Sequence, residues 1–265
     1  MPTLDVLETR KLRPARRYSV PAIEKAFAVV ELLASTRDGC TLQDISDKLG
    51  RSKGELYRVL AALQANDLIR RDPATERHVL TSRILEIAHR HPPTDRLLRT
   101  AQLVMSTLAL TIDQSCHLAV LQNKNVLIVA NAQSLLPMQY SVKVGSQFSA
   151  LEASSGVVIL SYASAPMREI MLRELGAPVR NSYERRFASV LATGRERFAS
   201  AVVPGVTNLS APIFAQDRGA VAALTVPFLL QRDNHASLDE SEDALIAVSR
   251  SISASLVAEE GFPSR

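Results

Sequence analysis

The apolar positions of residues 41–65 recur with the spacing of two short helices joined by a tight turn. In each segment they return every three or four residues, so each helix has one apolar face. The two faces consist of Leu42, Ile45 and Leu49, then Leu56, Val59, Leu60 and Leu63. Gly50 lies between the segments, where a helix ends in a left-handed residue. This outline predicts a helix-turn-helix, whose second helix lies in the DNA major groove.

Start signals for a helix precede both segments. Thr41 is followed three residues later by Asp44, and Ser52 is followed at the same spacing by Glu55. A hydroxyl at the N-cap and an acidic residue at the third helical position satisfy the free amides of the first turn. We therefore expect the second helix, the recognition helix, to begin just after Ser52.

The flanking segments predict a winged helix-turn-helix domain over residues 19–91. A helix opened by Ser19 and Pro21 precedes the motif. Its expected inward face is Ile23, Ala26, Phe27, Val30 and Leu33. After the motif, residues 68–71 and 78–81 read as strands around the turn at residues 72–75, which is a wing. A short helix over residues 82–89 and the double proline at 92–93 end the domain.

Residues 92–265 show a mixed pattern of helices and hairpins. Expected helices span 97–112, 154–163, 166–175, 183–193 and 239–258. Alternating segments flank turns at 123–125 and 217–219, so each pair predicts an antiparallel hairpin. The first helix should turn Ala101, Val104, Met105 and Leu108 inward. The fold class is α+β, with an antiparallel sheet covered by helices.

The positive charge is concentrated in the N-terminal third of the chain. Residues 1–91 hold 16 Lys and Arg against 12 Asp and Glu, whereas residues 92–265 hold 15 of each sign. A local excess of +4 on the segment with the helix-turn-helix is typical of a phosphate-contacting domain. Residues 1–18 predict a basic N-terminal arm, which contains Arg10, Lys11, Arg13, Arg16 and Arg17.

Composition favours a cytoplasmic protein that does not enter a membrane. No run of 18 apolar residues occurs, and the N-terminus lacks the apolar core of a signal peptide. The two cysteines, Cys40 and Cys116, are far apart and match no metal-ligand spacing, which predicts reduced thiols.

The chain resembles the IclR-type bacterial transcriptional regulators from about residue 18 to residue 256. The resemblance is carried in order by VPAIEKAFAVVELLA, LQDISDKLGRSKGELYRVLAALQANDLI, VGSQFSALEASSGVVILS and PGVTNLSAPIFAQDRGAVAALTV. It implies a GAF-like effector-binding and oligomerisation domain at residues 92–265. It also implies a homodimer or homotetramer on a double-stranded DNA operator, and a small organic effector.

Two groups of side chains are expected to contact DNA. Residues of the recognition helix that lie off the apolar stripe or at the cap can reach bases and phosphates. Arginines on the wing can reach phosphates. The candidate DNA-binding residues are Ser52, Lys53, Glu55, Tyr57, Arg58, Arg70, Arg71 and Arg77.

Candidate effector residues follow from the resemblance, position by position. They are Tyr140, Phe148, Ser154, Ser155, Phe198, Val206, Asn208, Thr225 and Pro227. Some family members hold an acid with an acidic residue and a Ser-x-Ser strand, and here Phe198 and residues 225–227 replace these. No Lys or Arg is in the set, so a di-acid would bury charge without a cationic partner. We expect a mono-acid or neutral compound, preferably aromatic.

The main alternative is a small-molecule hydrolase or transferase with an accessory winged-helix module. It needs a nucleophile and a base, but Cys116 and His117 are neighbours on a predicted strand and point to opposite faces. His78, His89 and His91 lack companions at ligand spacing, and no Walker, GxGxxG or GxSxG motif occurs. A structural nucleoid protein would not need so large a neutral second domain. We therefore predict a regulator that is not an enzyme and needs no metal or cofactor.

Overall fold

The computed structural model describes residues 20–90, 92–215, 219–231 and 235–260. The chain divides into two compact units, Met1–His91 (unit 1) and Pro92–Arg265 (unit 2). The predicted basic arm and Ser19 lie outside the described residues.

Unit 1 is a winged helix-turn-helix, as the sequence predicts. Its elements are α1 (Pro21–Ala34), α2 (Leu42–Leu49), α3 (Lys53–Ala65), β1 (Ile69–Arg71), β2 (His78–Leu80) and α4 (Arg83–His89). The strands β1 and β2 form an antiparallel pair, which is the wing. Gly50 ends α2 with φ of 60°, so the predicted left-handed residue is confirmed.

Both predicted capping boxes are present. Thr41 Oγ1 accepts from the backbone N–H of Asp44 at 3.1 Å, and the Thr41 N–H donates to Asp44 Oδ2 at 3.0 Å. Ser52 and Glu55 make the equivalent exchange at the start of α3, both at 3.4 Å. The turn between α2 and α3 is therefore set by hydrogen bonds that are local in sequence.

The predicted inward face of α1 is partly wrong. Val29 and Leu33 are buried, but Ile23 and Phe27 are 54% and 64% exposed. The helix packs on α2, α3 and β2 along a face centred between Val29 and Leu33. At about 100° per residue, Ile23 and Phe27 lie about 100° and 140° around the helix from that centre. Two large apolar side chains of α1 therefore face away from the core of unit 1.

Unit 2 is an antiparallel sheet between two layers of helices. Its helices are α5 (Pro92–Ile112), α6 (Ser154–Ser161), α7 (Ala165–Leu172), α8 (Ala177–Thr193) and α9 (Leu238–Glu260). Its strands are β3 (Cys116–Gln122), β4 (Asn125–Ala132), β5 (Gln147–Ser149), β6 (Glu196–Ala199), β7 (Val206–Phe214) and β8 (Ala220–Leu229). The strand order is β5-β4-β3-β8-β7-β6, and each pair of neighbouring strands is antiparallel.

Each face of this sheet has its own apolar core. On one face α5 and α9 pack against Leu118 and Leu224. On the other face α6 packs against β3, β7 and β8. A Cβ on Gly156 would lie 2.1 Å from the carbonyl oxygen of Ala150, so only glycine lets the first turn of α6 lie this close to the segment that follows β5.

The predicted α+β architecture is confirmed, although several boundaries differ. The strands β5 and β6 were not expected from the sequence. The helix α5 begins at Pro92 rather than at residue 97, and α8 begins at Ala177 rather than at residue 183. Of the predicted 217–219 turn, Asp217 and Arg218 lie outside the described residues.

Candidate DNA-binding and effector sites

The exposed face of α3 carries three of the predicted DNA-binding side chains. Lys53, Tyr57 and Arg58 point away from the buried stripe, and Tyr57 is 68% exposed. None of the three makes a hydrogen bond or ion pair with a residue that the structure describes. They are therefore available for contacts with another molecule.

Glu55, another predicted contact, is held within unit 1. Lys25 of α1 donates to Glu55 Oε1 at 2.6 Å. This hydrogen bond, with those from Ser52, keeps the pKa of the Glu55 carboxyl below its usual range. Ser52 and Glu55 thus position the recognition helix.

The three wing arginines have different surroundings. Arg70 is exposed and unpaired within the described part of the chain, whereas Arg71 forms an ion pair with Glu76. Arg77 donates to the carbonyl oxygen of Gly39 at 2.9 Å and lies 3.8 Å from the carboxylate of Asp44. Arg77 therefore braces the wing against the segment before α2, and Arg70 is the most available of the three.

A cavity of about 410 Å³ lies in unit 2 between the sheet and the first turn of α6. Five strands of the sheet (β3, β4, β5, β7 and β8) contribute residues, and the other walls come from the start of α6 and three connecting segments. The lining consists of His117, Ile128, Tyr140, Val142, Phe148, Glu152, Ala153, Ser154, Ser155, Ser200, Ala201, Val202, Asn208, Thr225 and Pro227.

Seven of the nine predicted effector residues line this cavity. They are Tyr140, Phe148, Ser154, Ser155, Asn208, Thr225 and Pro227. Phe198 and Val206 do not line it. Phe198 is 44% exposed, and the guanidinium of Arg186 on α8 lies 4.0 Å from its ring centre. Val206 is buried at the first position of β7.

Sequence reasoning missed several members of the lining. His117 was not among the predicted effector residues, yet it faces the cavity and is 7% exposed. Residues 200–202 and Glu152 were not predicted either. Strand alternation alone signals that His117 points away from Cys116, but it does not show that a cavity lies on that side.

Polar groups in the cavity are few and mostly neutral. Thr225 Oγ1 shares a 2.8 Å hydrogen bond with Ser210 Oγ, beneath the lining. No side chain caps the start of α6, so the positive end of that helix faces the cavity beside Ser154 and Ser155. No Lys or Arg belongs to the described lining, and its one acidic residue, Glu152, is exposed.

The arrangement does not assemble a nucleophile at Cys116. Its Sγ donates to the carbonyl oxygen of Met105 at 3.5 Å, in the α5 layer on the sheet face opposite His117. Burial raises the pKa of the thiol to about 12, so the nucleophilic thiolate is not formed at pH 7.

Within the described residues, no group of three His, Cys, Asp or Glu side chains is placed to hold a metal ion. Of the three histidines considered from the sequence, His91 and the side chain of His89 lie outside the described residues. The third, His78, is buried in the wing. No described helix is both long and apolar enough to cross a bilayer.

A winged helix-turn-helix joined to an α/β domain with a cavity is the arrangement expected of a ligand-responsive DNA-binding regulator. Comparison with known proteins agrees. Residues 22–73 match the IclR helix-turn-helix domain, and residues 94–254 match the C-terminal domain of the bacterial IclR transcriptional regulators. The chain therefore belongs to the IclR family, whose members are transcriptional regulators.

Relatives match along most of their length. The chain is 25% identical to the glycerol operon regulatory protein of Streptomyces griseus, over 81% of this chain and 87% of that protein. It is 22% identical to the transcriptional regulator KdgR of Escherichia coli, over 90% of this chain and 93% of that protein.

Solved structures share the fold. An IclR homologue from Microbacterium hydrocarbonoxydans, complexed with 4-hydroxybenzoate, has a TM-score of 0.74 and 20% identity, covering 89% of this chain and 98% of that one. HmgR from Pseudomonas aeruginosa has a TM-score of 0.71 and 23% identity, covering 90% of this chain and all of that one (100%).

Proposed function

We propose that this regulator places α3 in the major groove of an operator. Binding of a small organic effector in unit 2 then lowers or raises its affinity for that operator. The observation that carries the proposal is the exposed face of α3. Lys53, Tyr57 and Arg58 have no partner there among the described residues, on a helix whose start is fixed by a capping box. A rigid helix with unpaired cationic and hydrogen-bonding side chains is what base and phosphate contact requires.

Each DNA-binding residue has a proposed role. Arg58 contacts a guanine edge or a key phosphate, Lys53 a phosphate, and Tyr57 a phosphate or sugar. Arg70 adds a phosphate contact from the wing. Four further residues contribute mainly by holding the helix and wing in place: Ser52, Glu55, Arg71 and Arg77.

The effector is a mono-acid or a neutral compound, and an aromatic one fits best. Tyr140 and Phe148 supply aromatic walls, and a lining without Lys or Arg disfavours a dicarboxylate. The backbone N–H groups at the start of α6 can hold one carboxylate without a cationic side chain. The homologue bound to 4-hydroxybenzoate, an aromatic mono-acid, supports this class.

We infer that the controlled genes form a catabolic operon. A relative that matches over 81% of this chain is a glycerol operon regulatory protein. Control by an effector suits such an operon, since its substrate or a product can itself report that the pathway is needed.

The active form is a homodimer or homotetramer. Unit 1 leaves Ile23 and Phe27 of α1 and Leu85 and Ile87 of α4 exposed, which supports burial against a second copy of the chain. Symmetric oligomers bind operators with matching two-fold or repeated character.

Coupling follows from this assembly. An effector alters operator affinity only if it binds one arrangement of the oligomer better than another. We propose that α5, which begins where unit 2 begins, carries the change by repositioning the two winged helices. Its packing on α9 and β4 ties it to the sheet that lines the cavity.

We propose no catalytic activity, because the buried thiol of Cys116 and the imidazole of His117 do not form a nucleophile–base pair. We place the protein in the cytoplasm, where the operator is found, with no role for a membrane and no metal or nucleotide cofactor.

The full chain is expected to bind duplex DNA from upstream of its own gene, whereas residues 92–265 alone should self-associate without binding DNA. We expect the fragment not to bind DNA because its net charge is neutral and because α3 lies in unit 1. Gel shifts at several salt concentrations measure DNA binding, whose affinity should fall steeply with salt as counterions are released. Light scattering measures self-association of the fragment. A full chain that fails to bind at low salt would refute operator binding, and a monomeric 92–265 fragment would refute its assembly role.

A further inference from the structure

His117 presents a buried polar ring to the cavity from the middle of the sheet. It lies on β3, opposite Thr225 of β8 and Asn131 of β4. The residue is 7% exposed, and its Nδ1 atom has no hydrogen-bond partner among the described residues. A buried nitrogen without a partner destabilises the folded protein. An apolar residue at this position would therefore give a more stable fold than histidine does.

The polar neighbours of His117 are directed elsewhere. The hydroxyl of Thr225 is joined to Ser210 at 2.8 Å. The side-chain amide of Asn131 donates to the carbonyl oxygen of Val142 at 3.0 Å. Neither side chain therefore explains why an imidazole occupies this position, and the ring faces the space in which the effector is proposed to bind.

Burial also decides the charge of the ring. Desolvation lowers the pKa of His117 to about 4, so the imidazole is neutral at pH 7. The other titratable groups lining the cavity are Tyr140 and the exposed Glu152. A neutral imidazole has one donor and one acceptor, and a hydroxyl group can partner either nitrogen in either tautomer.

We propose that His117 determines effector specificity by hydrogen-bonding a hydroxyl group of the effector as a neutral imidazole. This inference rests on the proposed function and deepens it. The acid group lies at the start of α6, the ring lies along Phe148, and the hydroxyl meets His117. The ligand class is then a hydroxylated aromatic mono-acid.

Calorimetric titration of the full chain with 4-hydroxybenzoate and 4-methylbenzoate tests the proposal, because the two acids have similar shape and differ in the hydroxyl. The wild type should prefer the hydroxylated acid by about tenfold or more, since a methyl group would leave the part of the imidazole that faces the cavity without a hydrogen-bond partner. In His117→Leu the two affinities should agree within about twofold, and His117→Gln should keep part of the preference. The matched control His235→Leu changes an exposed histidine outside the cavity lining and should keep all of it.

The outcomes separate the two proposals. Equal binding of the acids by the wild type, or a preference that survives in a folded His117→Leu with an unchanged melting temperature, would overturn the role of His117 and leave the proposed function standing. Binding of neither acid by the wild type would overturn the hydroxylated aromatic mono-acid and the role of His117, whereas the proposed function is overturned separately, by a full chain that fails to bind operator DNA. The preference should also stay constant between pH 6 and pH 8. A tenfold rise toward pH 6 would assign an imidazolium and contradict the neutral ring.

Discussion

Replacing Arg58 by alanine is expected to weaken operator binding about 5- to 150-fold, which corresponds to about 1–3 kcal/mol for a lost base-edge or phosphate contact. The side chain is exposed on α3 and has no partner in the described part of the chain, so its removal should leave unit 1 folded. Fluorescence anisotropy with a labelled operator at fixed salt measures the change. Relaxed sequence preference would identify a base contact, and a smaller salt dependence would identify a phosphate contact.

Arg250→Ala is the matched control for this experiment. It removes the same charge from an exposed position on α9 in unit 2, so operator affinity should stay near that of the wild type. Equal losses in both variants would attribute the effect to net charge alone. An unchanged affinity in Arg58→Ala would remove that residue from the interface.

Phe148→Asp should abolish stabilisation by the effector while leaving operator binding intact. The substitution removes an aromatic wall of the cavity and puts a carboxylate beside a bound acid, where no Lys or Arg of the described lining can offset it. For wild type with ligand at about 100 times Kd, stabilisation is about 2.7 kcal/mol, or a rise of about 5–10 °C in Tm. Thermal shifts with benzoates and dicarboxylates measure this difference.

The control is Phe198→Asp, which makes the same change outside the cavity lining. It should retain the full thermal shift, although the family resemblance placed Phe198 in the pocket. Loss of the shift in this variant would favour the sequence-based lining over the cavity. Stabilisation by dicarboxylates but not by aromatic acids would show that our interpretation of the effector is wrong.

Local patterns predicted the helix-turn-helix well because its determinants are close together in sequence. Both capping boxes join residues three positions apart, and Gly50 ends α2 by its own backbone conformation. The face of α1 was less predictable. Apolar periodicity allowed Ile23 and Phe27 to be inward, but the face that is buried depends on contacts with α2, α3 and β2.

Distant contacts explain the elements that sequence reasoning missed. The strands β5 and β6 are three and four residues long, and each exists through pairing with a longer strand. Such short segments carry too little alternation to be recognised. His117 is a cavity residue because α6, which begins 37 positions later in the chain, leaves a space beside it. Phe198 lies outside the cavity lining, and its ring contacts the guanidinium of Arg186, which is twelve positions earlier in the chain.

The ion pair between Lys25 and Glu55 has a consequence for how this regulator can acquire a new target. Three features orient α3: its capping box, its buried apolar stripe and this ion pair. The residues that form them are different from those on the exposed face of the helix. Gly54 is also open, because a Cβ there would meet no atom within 4 Å. We therefore expect substitutions at Gly54, Tyr57 and Arg58 to change the preferred operator sequence at little cost to folding. Libraries restricted to these three positions should yield folded proteins that bind altered operators.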